Sequence, residues 1–166
     1  MPQSNETWYL QGLSCKNFTP PPGCIADAAV APAADVNDTK LRHRYQPVVS
    51  QTGTVVADTR YLRIAQAAGT VLAVEAAITE TIATGADRQV VVDLQKSTGG
   101  AAFATVLTAP ITFTNASALR TVVTAAISTP GLLDNDILRL VITVAGVAGA
   151  QALGLIANVV IAEQAQ

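Results

Sequence analysis

The chain has 166 residues, 50% of them apolar and 13% charged, with a net charge of −2 and a mean hydropathy of +0.38. That suffices for one domain and an appendage, is too short for a (β/α)8-barrel enzyme, and is too apolar for a disordered segment. Ten basic against twelve acidic residues, with no run of one sign, argue against a protein that tracks nucleic acid phosphates, and no apolar stretch reaches the roughly twenty residues a helix needs to cross a bilayer.

Aromatic residues make up 4% of the chain, whereas alanine occurs thirty times and threonine nineteen times. The interior must therefore be filled by small and β-branched side chains, each burying little area at roughly 25 cal/mol per Å². The positive hydropathy leaves apolar surface over, and an oligomer or a docked subunit is expected.

Residues 1–46 differ from the rest. They hold Trp8, Tyr9, Phe18 and Tyr45, five of the eight prolines, both cysteines and the only histidine, without periodicity at 2.0 or 3.6 residues. The start, Met1 to Glu6, has neither basic residues nor an apolar run and does not read as a secretory signal. The segment reads as an extended arm that becomes ordered on a surface, either a neighbour's or its own body's. Cys15 and Cys24 flank the rigid Pro20 to Gly23 turn, so a bridge is geometrically open to them, while synthesis in a reducing compartment favours free thiols. Two cysteines with one distant histidine do not make a four-ligand zinc site, and neither a metal nor a cofactor is expected.

From Pro47 the chain reads as strands separated by turn signals. Val48 to Gln51 and Thr54 to Ala57 are short candidates. Arg60 to Ile64 follows, with Leu62 and Ile64 on one face and Tyr61 and Arg63 on the other. Thr70 to Ile82 is Ala-rich and admits a helix from Val74, but its Thr and Ile content favours a strand. Gln89 to Gln95 alternates cleanly, Phe103 to Thr108 and Ile111 to Thr114 are parted by Pro110, and Thr121 to Ser128 ends at Pro130. Asp136 to Val144 sets Leu138, Leu140, Ile142 and Val144 against Arg139, Val141 and Thr143. Leu153 to Ala162 turns Leu153, Leu155, Ala157, Val159 and Ile161 inward. About eight strands and no clear helix describe an antiparallel β-sandwich over residues 47–166, first as a jelly roll. An immunoglobulin-like order is the alternative, weakened because this body has no Cys and no Trp.

Chemistry is sparse. His43 sits in Lys40-Leu41-Arg42-His43-Arg44, where cationic neighbours lower its basicity and make it a surface contact rather than a general base. Asp134-Asn135-Asp136 offers oxygens to calcium but more simply opens a turn before a strand. The remaining carboxylates are dispersed, and no nucleophile elbow or phosphate loop is present in the sequence. In the body only Tyr61, Phe103 and Phe113 could stack on sugars, and Phe113 reads as core. A catalytic function is not expected.

The body nevertheless has a familiar succession. Gly85-Ala86-Asp87-Arg88 with Val90 to Lys96, then Leu107 to Thr112, Arg120 to Val123 and Asp136 to Val144, preceded by Lys40 to Arg44, resembles small β-sandwich proteins of tailed-phage particles. The resemblance implies a capsid decoration, or cement, protein: a jelly-roll subunit, commonly trimeric, that sits outside the head, binds the major capsid protein and clamps neighbouring capsomers. It implies a virion location after synthesis in the host cytoplasm, with no nucleic acid or membrane partner. On this reading Trp8, Tyr9, Phe18, Arg42 and Arg44 are the expected partner-binding residues. A host-recognition or carbohydrate-binding fibre or spike module is the rival.

Overall fold

The computed structural model describes residues 42–80, 88–146 and 152–164. Every regular element among them is a β-strand: β1 (Arg42–Tyr45), β2 (Val48–Thr54), β3 (Asp58–Ile64), β4 (Gly69–Glu80), β5 (Gln89–Ser97), β6 (Ala104–Thr105), β7 (Ile111–Thr114), β8 (Val123–Thr124), β9 (Gly131–Leu132), β10 (Ile137–Ala145) and β11 (Leu153–Gln164). They form two antiparallel sheets. In the first, β11 lies between β4 on one side and β1 and β2, end to end, on the other, and β8 and β9 pair with the far edge of β4. In the second, β10 lies between β3 and β5, and β6 and β7 pair with the far edge of β5.

Alternation along four long strands makes the core. Leu155, Ala157 and Val159 of β11 stand opposite Ile78, Ala76 and Val74 of β4, and Leu140 and Ile142 of β10 opposite Leu94 and Val92 of β5. All are buried, and with Phe113 they form one apolar cluster between the sheets. In the middle of the β4–β11 pair Ala157 faces Ala76, between the bulkier Leu155–Ile78 and Val159–Val74 pairs.

The structure departs from the expected elements where the backbone leaves period two. Val48 to Ala57, read as two strands, is one strand to Thr54, after which Val55 drops into the core with its N–H bonded to the Ala152 carbonyl at 2.8 Å. The favoured strand reading of Thr70 to Ile82 holds over the residues described: β4 runs Gly69–Glu80 and is paired with β11 along nearly its whole length. On β3 Tyr61 is exposed and Leu62 packs on the core as expected, but a bulge at Leu62 reverses the two residues after it, so that Arg63 lies opposite buried Leu138 and Ile64 is turned outward. The candidates at 103–108 and 121–128 shrink to two-residue strands because this chain is shared between the sheets. Ala125 N–H bonds to Val74 of the first sheet, while Thr108 N–H bonds to Ala126 and Ser128 N–H to Val106. Finally β1, placed in the arm by the reading of residues 1–46, pairs with β11 from Arg42↔Gln164 to Tyr45↔Ile161 and so is part of the first sheet.

Candidate interaction surface

The outer face of the second sheet carries one ordered row of side chains. Register places Tyr61 of β3 opposite Arg139 of β10, Arg139 opposite Gln95 of β5, and Gln95 opposite Thr105 of β6. Phe103, two residues before Thr105, closes over this row. The Arg139 guanidinium lies 3.8 Å from its ring centre, and Tyr61 meets it edge to face with centroids 6.1 Å apart. Arg139 also donates from Nε and Nη2 to Gln95 Oε1 at 3.0 and 2.8 Å. Gln95 Nε2 donates to Asp93 Oδ2 at 2.9 Å, and Thr105 Oγ1 donates to Asp93 Oδ1 at 2.5 Å. Each polar group is thereby oriented before any partner arrives, while Tyr61 remains 67% exposed. Tyrosine and arginine on a rigid sheet, at low entropy cost of ordering, are what a protein-binding hot spot uses. Beside Tyr61 an open groove of about 430 Å³ runs between Pro47 with Val48 to Ser50 of β2 and Arg60 to Leu62 of β3.

A second cluster ties the two sheets together at their open edge. Arg63, turned inward by the bulge, reaches Glu163 of β11 with Nε to Oε1 at 2.5 Å and Nη2 to Oε2 at 2.6 Å, and its guanidinium lies 3.5 Å from the Tyr45 ring centre. Glu163 is only 2% exposed, so its bidentate pairing compensates a desolvated charge. Glu163 in turn raises the pKa of Arg63 above its ordinary value. His43, the register partner of Glu163, is exposed, with its ring 6.4 Å from that of Tyr45. This arrangement holds β1, β3 and β11 together.

The outer face of the first sheet mixes exposed apolar side chains with polar ones. Ile156 of β11, Val48 of β2, Leu72 of β4 and Val122 before β8 are all exposed there, and Glu75 accepts a 3.2 Å hydrogen bond from Asn158 Nδ2 among them. Next to the end of β3, where Ala65 N–H bonds to the Asp136 carbonyl at 2.8 Å, Asp134 to Asp136 forms a turn, with Asn135 at φ 66° and buried Asp136 accepting the Leu133 N–H at 2.9 Å. Lys96 stands 3.6 Å from the same carboxylate oxygen.

Of the residues expected to bind a partner, Arg42 and Arg44 lie on β1, where Arg44 is exposed, and Trp8, Tyr9 and Phe18 lie outside the described residues, as do Cys15 and Cys24. The row on the second sheet brings together Tyr61 and Phe103, which sequence reading treated as isolated, and adds Arg139, which it did not single out. The available signal was alternation: Arg139 lies between Leu138 and Leu140, so if those point inward it must point out.

An all-β protein of two packed antiparallel sheets is the class these observations define. No family model and no curated protein matches the chain. A chain of a solved structure, the cyanophage Pam1 capsid asymmetric unit, is similar at a TM-score of 0.47 and 17% identity, covering 75% of this chain and 85% of that one. A likeness that loose carries no function across.

Proposed function

We propose that the chain is a non-catalytic structural protein of a phage particle, a jelly-roll subunit that attaches as an oligomer to the outside of the capsid and stabilises it by bridging neighbouring capsomers. The observation that carries this reading is the prepared row of Tyr61, Arg139, Gln95 and Thr105 under Phe103, a flat binding patch rather than a catalytic cleft. The sheet order supports the jelly roll. The steps from β2 to β3, β3 to β4, β4 to β5, β7 to β8, β9 to β10 and β10 to β11 each cross from one sheet to the other. The capsid as partner, and three copies per unit, come from the sequence resemblance, and the arm with its aromatic and basic residues adds contacts that a symmetric shell multiplies through avidity.

Purified full-length chain, mixed with heads that lack it and sedimented, should bind, and Tyr61→Ala with Arg139→Ala should weaken binding at least about tenfold, the scale of a lost hot-spot anchor. Undiminished binding by that double variant would place the contact elsewhere. A fibre or spike module that binds carbohydrate is the second reading, favoured by the groove beside exposed Tyr61. Copy number per particle separates them: a decorating subunit approaches the count of the major capsid protein, whereas a spike is scarce.

A further inference from the structure

Three ion pairs join side chains among the described residues: Arg60 with Asp58, Arg63 with Glu163 and Lys96 with Asp136. Arg139 belongs to none of them, although it is half-buried and held on two sides. Phe103 covers its guanidinium from one face, and the acceptor along its side edge is the neutral Gln95 Oε1, which takes protons from Nε and Nη2. That amide is locked in this orientation, since its Nε2 donates to Asp93 Oδ2 while Thr105 Oγ1 holds Asp93 Oδ1. The network thus fixes the direction of the guanidinium and leaves its charge without a counter-ion in direct contact. Its outer edge is also unused. A guanidinium holds its N–H donors in a planar fork, so with Nε–H and one Nη2 proton given to Gln95, the other Nη2 proton and one Nη1 proton run parallel, at the spacing of the two oxygens of a carboxylate. Nη1 has no acceptor among the described residues and is not sealed from solvent.

We propose that this outer edge of Arg139 receives one carboxylate, an aspartate or glutamate side chain of the capsid protein, with exposed Tyr61 flanking it. The proposal names the partner's chemistry at the row already assigned to the capsid contact, and it rests on that reading for the source of the acid. The acid neutralises a cation that folding has already oriented, so little side-chain entropy is lost in the contact. The rings of Tyr61 and Phe103 beside the pair lower the local dielectric and strengthen a charge-assisted, two-point bond. A phosphate polyanion suits the site less well. Asp93 stands on the adjoining strand, and the chain's net charge of −2 offers a polyanion no long-range attraction.

The receptor can be tested with and without heads. In the full chain labelled with ¹⁵N-arginine, the Arg139 Nε–H resonance, identified by its loss in Arg139→Lys, should shift and saturate as acetate is added at constant ionic strength. Arg63, whose fork Glu163 already fills, and exposed Arg120 should move little. An Arg139 shift no larger than that of Arg120, or a response to inorganic phosphate at lower concentration than to acetate, overturns the proposal. On heads that lack the chain, Arg139→Gln and Arg139→Lys should each weaken binding about tenfold, the lysine because a point charge does not span both oxygens. Arg139→Lys carries this comparison if Arg139→Gln fails to fold, as judged by circular dichroism. Heads whose carboxylates have been converted to neutral amides with carbodiimide and glycinamide should bind wild type no better than either variant. Wild type that binds native and amidated heads alike, or Arg139→Lys that matches wild type on native heads, overturns the proposal. If no form binds heads while acetate still shifts Arg139, the capsid reading falls and the carboxylate receptor stands.

Discussion

Arg63 shows how much one side chain can carry in a protein so poor in charge. Its pairing with buried Glu163 joins β3 of one sheet to β11 of the other, and Tyr45 covers the guanidinium. Removing the cation strands a desolvated carboxylate, so Arg63→Met should cost about 3 kcal/mol or more in urea unfolding, whereas Arg63→Met with Glu163→Leu should recover most of that loss. Asp58 gives the acid side of the pH profile. Its bond to Arg60 lowers its pKa below the ordinary 3.8. A carboxylate lowered on folding contributes stability that is full above its unfolded pKa and is lost as pH falls through the folded one. Asp58→Asn should accordingly lower stability slightly at neutrality and flatten its fall below pH 3.8, so that the two curves converge in acid. The pair is solvent exposed, which keeps the effect small.

Elements are where sequence and structure part company. The inward faces of β5, β10 and β11 were legible because strict alternation has one solution: Val90, Val92, Leu94, Leu138, Leu140, Ile142 and Leu155 could only be core. Bulges were not legible, because nothing in Tyr61-Leu62-Arg63 announces the extra residue that turns Arg63 inward and thereby creates the Glu163 pair. The row on the second sheet was half legible, since alternation exposes Arg139 while register alone brings Tyr61, Gln95 and Thr105 beside it. Another irregularity sits at Gly154, with φ 66°, where the register of β11 against β2 shifts. A β-carbon there would fall 2.0 Å from Thr79 Oγ1, the hydroxyl that donates to the Leu153 carbonyl at 3.0 Å. Gly154→Ala should lower stability by roughly 1–3 kcal/mol, combining left-handed backbone strain with that clash. A thermal melt within a degree of wild type would show that the loop relaxes freely.

On the scale of the molecule, the sheets meet solvent at edges that discourage uncontrolled pairing. β3 is bulged and carries Asp58, Arg60 and Arg63, and the Gln51 side chain binds both the N–H and the carbonyl of Val56, at 2.9 and 3.1 Å. Interfaces are thus directed to the faces. The place of β1 in the first sheet also fixes where the arm can be removed. A chain of residues 42–166 should melt close to the full chain while binding heads more weakly. A chain of residues 47–166 should lose at least about 1 kcal/mol more, because Tyr45 no longer covers Arg63.

Of the strands described, the two that come last in the chain, β10 and β11, occupy the interior of the two sheets, each flanked on both sides by segments made earlier. Neither layer can close until β10 and β11 have been made, so folding is dominated by distant contacts, a slow topology in which nascent chains remain vulnerable to aggregation. A stop codon placed before Leu153 would remove the strand that joins β1 and β2 to β4, and the expected product is insoluble rather than a smaller sandwich.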